Sequence, residues 1–330
     1  MLNTFHRKRS LTVIGGSQNS TSFRVLFLLL LITLSPTCVN AADTESFDFG
    51  FFKDRPGQLV ELENHRLHAD CRGKGLTTVL FEAGLGGSAL EWVPIRDQIA
   101  GRTRVCIYDR AGYAWSDPSP YPRYARQLAA EASAMLHKLG LTQSLILVGH
   151  SFGGLVVREL AGLPGIQVKA MVLIDSSHED QFKHMRVEGG KAIVPTGEHF
   201  VFSPGDAPEN LPQQLRRKIK ALSRMRKTYA ATHAEMAKFT DSADQVASTR
   251  SVVEYPVTVV SRGLDLYPVA ATGLDRNTIW QQLQSDLVSL SSDGRFVLAQ
   301  NSGHHVHVDD PALIVRIIEE LLDEIDQQPH

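Results

Sequence analysis

Four short apolar runs set the strongest limit on the fold: "TTVLFEAG" (Thr77 to Gly84), "RVCIYD" (Arg104 to Asp109), "SLILVG" (Ser144 to Gly149) and "VKAMVLID" (Val168 to Asp175). A strand that is apolar on both faces must be covered on both faces, and each run is followed by chain with helical periodicity. The pattern predicts an α/β fold, a mainly parallel sheet between two layers of helices. "YARQLAAEASAMLHKLG" (Tyr124 to Gly140) is one such helix, amphipathic and closed by glycine. Ahead of the first run, "GQLVELEN" and "HRLHADC" alternate at period two on either side of Asn64, which predicts a hairpin.

The alternation lapses between Ser176 and Arg250. It resumes with a strand pattern, "YPVTVVSRG" (Tyr255 to Gly263), a helix over Thr278 to Leu290, a strand, "RFVLAQ" (Arg295 to Gln300), and a helix over Pro311 to Ile325. A single domain with an insertion accounts for this order: core at 55–175 and 251–326, helical cap at 176–250, before the last two strands. Within the insertion Leu215, Ile219, Leu222 and Met225 recur at helical spacing among lysines and arginines from Arg216 to Lys227. This is an amphipathic helix with a basic face, read as a cap helix with a solvated outer side; a membrane-facing cap is the alternative.

With 330 residues, 43% hydrophobic and 21% charged, the chain can build one large core. A net charge of -2 gives no reason to expect nucleic acid as a partner. The first forty residues stand apart. "HRKR" (His6 to Arg9) and Arg24 precede the apolar run "VLFLLLLITL" (Val25 to Leu34), and "VNA" (Val39 to Ala41) ends on a small residue. Residues 1–41 therefore read as a secretory signal, with a mature chain from near Ala42 that is secreted or periplasmic. An uncleaved, membrane-anchoring segment is the alternative, although the run falls short of the roughly 18 apolar residues that a spanning helix needs. Export would place Cys71 and Cys106 in an oxidising compartment.

Between the third run and the helix after it lies Gly149-His150-Ser151-Phe152-Gly153, which fits G-x-S-x-G, a sharp strand-to-helix turn that projects its serine from the sheet edge. A serine hydroxyl needs a base to take its proton, and the base needs a carboxylate to orient it. In this architecture the chain order is serine, acid, histidine. "SRGLD" places Asp265 just past a strand end, and "NSGHHVHVDDP" places His304 behind Gly303. With "EAGLGG" (Glu82 to Gly87) and "YDRAGYAWSD" (Tyr108 to Asp117), the chain resembles the α/β-hydrolase family over roughly 55 to 325, the insertion apart.

That resemblance implies Ser151 as nucleophile, His304 as general base and then acid, and Asp265 as the orienting carboxylate, with Asp175 the rival acid. It implies an oxyanion hole from the backbone N–H groups of Leu85 and Phe152. Glu82-Ala83 departs from the family pattern, in which a histidine often precedes the loop glycine. The family's strand order would set Cys71 opposite Cys106, which makes a disulfide feasible. A serine at the elbow argues against epoxide hydrolase and dehalogenase chemistry, for which the family would offer an aspartate. The expected activity is that of a serine esterase on a small-molecule acyl or ester substrate. Peptidase, acyltransferase and a catalytically silent ligand binder are the alternatives.

Two other site types compete for the same residues. Gly84 to Ala89 fits G-x-G-x-x-A after a strand, as in dinucleotide binding, but Pro94 stands where that helix should already be running. His304, His305, His307, Asp309 and Asp310 crowd together, and His305 and His307 would share one side of an extended segment as a ligand pair. No second cluster with ligand spacing accompanies them, so neither a cofactor nor a metal is expected.

Overall fold

The computed structural model describes residues 55–185, 207–267 and 275–327. The expected signal segment and part of the insertion lie outside the described residues. The expected hairpin is β1 (Gln58–Glu61) and β2 (Arg66–Arg72), antiparallel with Gln58 opposite Ala69. Then strands and helices alternate: β3 (Thr78–Glu82), α1 (Val93–Ile99), β4 (Arg104–Asp109), α2 (Ala125–Leu139), β5 (Leu145–His150), α3 (Phe152–Ala161) and β6 (Val168–Ile174). The insertion contributes α4 (Gln181–His184), α5 (Gln213–Ser223), α6 (Arg226–Ala237) and α7 (Phe239–Thr249). β7 (Val257–Arg262), α8 (Arg276–Leu287), β8 (Gly294–Ala299), α9 (Val306–Asp309) and α10 (Pro311–Asp326) complete the domain.

The eight strands form one sheet in the order β1-β2-β4-β3-β5-β6-β7-β8. β2 runs antiparallel to β4, and from β4 to β8 every pairing is parallel. This is the mainly parallel α/β sheet that the apolar runs predict. On β5 the pleat sends Ile146 and Val148 to one face and Leu145 and Leu147 to the other. One face is covered by α1 and α10 through Ile95, Ile314 and Ile318, the other by α2 and α3 through Leu128, Met135 and Leu155. Each such side chain, withdrawn from water, contributes roughly 1.5–3 kcal/mol, so the two apolar layers hold the sheet between them.

Local signals end the elements where expected. Gly140 closes α2 at φ 69°, and the N–H of Leu141 returns to the Leu136 carbonyl at 2.9 Å, satisfying an end carbonyl. α1 starts only at Val93, with Pro94 in its first turn, after a capping box from Ser88 to Glu91. The glycine loop after β3 is thus not the start of a long helix, which removes the dinucleotide geometry. Cys71 and Cys106 face each other across β2 and β4 and form a disulfide, with Cα atoms 4.1 Å apart. In the insertion, α5 packs Ile219 and Leu222 on Leu90, Ala114 and Val308. α7 instead lies on the core layer, where Phe239 meets the Phe152 ring at 4.9 Å and the Ser242 hydroxyl accepts the Ala125 N–H at 2.9 Å.

Candidate active site

Ser151 sits at the turn from β5 to α3 with φ 51° and ψ -123°. A non-glycine residue pays about 1–3 kcal/mol for such a conformation, which persists only where the surroundings dictate it. Here they do. The Ser151 N–H donates to the Ile174 carbonyl at 3.1 Å, and its own carbonyl accepts from Gly154 and Ser177, each at 2.9 Å. The flanking glycines are steric requirements: a Cβ on Gly149 would lie 2.8 Å from the Gly153 carbonyl oxygen, and one on Gly153 would lie 2.6 Å from those of Glu82 and Ala83.

His304 follows β8 in the loop before α9 and is 7% exposed. Its Nε2 is 2.9 Å from Ser151 Oγ and its Nδ1 is 2.6 Å from Asp175 Oδ2. A carboxylate can only accept, so Nδ1 carries the proton and the neutral ring presents the Nε2 lone pair to the serine hydroxyl. His150, within the elbow, donates from Nε2 to the His304 carbonyl at 2.8 Å. Its burial, with His307 and His304 nearby, holds its pKa far below the ordinary histidine value, so it stays neutral.

The carboxylate on His304 is Asp175, and the expectation for Asp265 is corrected. Asp265 is exposed in the loop after β7, on the rim of an open groove it shares with Asn277 and Gln281 of α8. The two differ in their surroundings: Asp175 directly follows β6, the neighbour of β5, and faces the His304 ring, whereas Asp265 faces solvent. Asp175, directly after β6, is fully buried with φ 38° and accepts four hydrogen bonds. Besides His304, these come from Trp280 Nε1 at 2.7 Å, the Arg262 guanidinium at 2.7 Å and the Arg262 N–H at 3.2 Å. Burial pushes the Asp175 carboxyl up, but Arg262, His304 and Trp280 more than offset it and bring it to about 2. Arg262 and Trp280 escaped the sequence reading. The available signal was an arginine closing an apolar strand, since a buried guanidinium requires a carboxylate.

The loop after β3 lies beside the serine: a Cβ on Gly84 would be 3.3 Å from Ser151 Cβ. Phe152 is the first residue of α3, so its N–H is among the helix-start donors without an intrahelical acceptor. The residues of this loop after His304 serve packing and helix capping. His305 precedes a helical turn and is not in an extended segment, so the expected alternation with His307 does not arise. His307 stacks on Trp92 with ring centres 4.1 Å apart, Asp309 accepts the Gly303 N–H at 2.8 Å, and Asp310 caps α10. Burial beside His304 holds His305 down to about 3.

The model of a family described as "Alpha/beta hydrolase family" matches residues 79–317. The chain is 27% identical over 245 residues to the uncharacterized protein YqjL of Bacillus subtilis, covering 74% of this chain and 82% of that one. Among solved structures, the epoxide hydrolase CorEH without ligand superposes with a TM-score of 0.61 at 15% identity, over 81% of this chain and 98% of its own. A thermophilic esterase from Thermogutta terrifontis gives a TM-score of 0.59 at 20% identity, over 82% and 99%.

Proposed function

Because the chain belongs to the alpha/beta hydrolase family, we propose that it is a serine hydrolase that cleaves an ester-like bond of a small-molecule substrate through an acyl-enzyme. The observation that carries this reading is His304, which bridges Ser151 Oγ at 2.9 Å and Asp175 at 2.6 Å. In the first step Oγ attacks the acyl carbon while Nε2 of His304 takes the hydroxyl proton; the C–O bond to the alcohol then breaks and that proton leaves with the alcohol. In the second step water attacks the acyl-enzyme, His304 takes its proton, and the proton returns to Oγ as the acid departs. Asp175 keeps Nδ1 protonated and stabilises the imidazolium between proton transfers. The N–H groups of Leu85 and Phe152 would hold the oxyanion.

The serine supports acyl transfer over epoxide opening on chemical grounds. Attack by a hydroxyl on an epoxide leaves an ether, which water does not hydrolyse, whereas attack on an acyl carbon leaves an ester, which it does. The test is turnover of a short-chain nitrophenyl ester by a chain starting at Asp43, beside Ser151→Ala and His304→Ala. Each substitution is expected to lower kcat/KM by about 10⁴-fold or more. Substitutions that leave the rate unchanged would refute the reading. We further propose that the chain is exported and its first forty-one residues removed; the Cys71–Cys106 disulfide supports an oxidising compartment.

A further inference from the structure

A buried cluster joins the inserted segment to the loop beside Ser151. Arg110, after β4, is 4% exposed and uses all five of its N–H donors. Nε and Nη2 grip the two oxygens of Glu235 at 3.0 and 2.8 Å. Nη1 meets Glu82 at 2.6 Å. The two remaining donors go to consecutive backbone carbonyls, Ala83 at 2.6 Å and Gly84 at 2.8 Å. Glu235 belongs to α6, in the insertion, and is itself fully buried, with the Tyr113 hydroxyl donating to it at 2.8 Å. The Tyr108 hydroxyl donates to Glu82.

A peptide unit is planar and trans, so its C=O and N–H point in opposite directions. With the Gly84 carbonyl held by Arg110, the N–H of Leu85 has to point away from Arg110. Glu82, part of the departure from the family pattern, supplies a carboxylate that with Glu235 holds Arg110 against this loop. Stability does not require such a cluster, since buried ion pairs can often be replaced by apolar groups of similar volume without loss. What an apolar replacement cannot supply is a fixed direction for two carbonyls.

We propose that Arg110, clamped by Glu82 and by Glu235 of α6, is a positioning residue that aims the Leu85 N–H at the oxyanion, so that the inserted segment governs the chemical step as well as access. This rests on the serine hydrolase reading. Glu235→Gln sets an amide N–H against an Arg110 donor and removes the charge, while nearly keeping the shape. Tyr113→Phe removes one hydrogen bond to Glu235 and keeps the ring.

The experiment measures kcat, KM and the inhibition constant of a short-chain trifluoromethyl ketone, which Ser151 converts to a tetrahedral oxyanion, for wild type and both variants. For Glu235→Gln, kcat is expected to fall about 10- to 100-fold, KM to stay within about threefold, and ketone affinity to weaken in step with kcat. Tyr113→Phe should move the same quantities in the same direction by about 3- to 10-fold, and decides the matter if Glu235→Gln does not fold. A folded variant with wild-type kcat and ketone affinity, or a loss carried by KM alone, overturns the proposal while leaving the hydrolase reading intact. A wild type that neither turns over the ester nor binds the ketone overturns both.

Discussion

Asp175 and Asp265 both follow a strand of the same sheet, and their surroundings separate them. Asp175 is buried with a full set of donors, Arg262 among them, whereas Asp265 stands exposed on a groove rim. Only the first can fix the tautomer of His304 and hold its ring against Ser151. Asp175→Asn is therefore expected to lower kcat by about 10³- to 10⁴-fold, because the amide no longer enforces Nδ1–H. Asp265→Asn should stay within about twofold, as surface substitutions away from a site usually do. Steady-state kinetics on the nitrophenyl ester checks both; a large loss at Asp265 and none at Asp175 would reverse the assignment.

At the scale of elements, the turn at Ser151 needs its glycines because β5, α3 and the loop after β3 meet too closely for side chains at Gly149 and Gly153. The strained serine is held by backbone bonds to the end of β6 and the segment after it, so Ser151 and Asp175, distant in sequence, share one support. This explains why a strand-to-helix junction flanked by glycines was legible from residue types alone. The insertion divides by the same reasoning. α7 buries Val246 and Phe239 against the core, while α5 and α6 bring their apolar sides to the loops beside the site, with Ala231 close to Gly112 and Thr232 close to Gly86. A helical stretch with a basic outer face could be read from spacing; which helix joined which layer could not, because that depends on where β6 releases the chain.

Across the whole molecule, the alternation of apolar runs and helical periods carried the sheet and its two covering layers. The carboxylate did not follow from it. Trp280 and Arg262 reach Asp175 across 105 and 87 residues, and Arg110 reaches Glu235 across 125, separations over which local pattern holds no information. These buried charges also set how the fold responds to acid. The Asp175 carboxyl is lowered from its ordinary 3.8 to about 2 in the folded chain. Its contribution, about 2 kcal/mol, is therefore present above the unfolded value and is lost as the pH falls from about 5 towards 2. Glu179, lowered by Arg158 against its own burial, acts in the same direction. Urea unfolding at pH 6 and pH 3 should show wild type losing more stability on acidification than Asp175→Asn. Equal losses would mean that Asp175 is not held in this charged state.

The most direct measurement is the site of covalent capture. The mature chain would be reacted with a fluorophosphonate and the adduct located by peptide mass spectrometry. The account predicts one phosphonyl group per chain, on Ser151, formed at least about 10³-fold more slowly when His304 is replaced by alanine. A folded chain that takes up no phosphonate, or takes it up on another residue at a rate indifferent to His304, would contradict the claim that Ser151, His304 and Asp175 act as one nucleophilic unit.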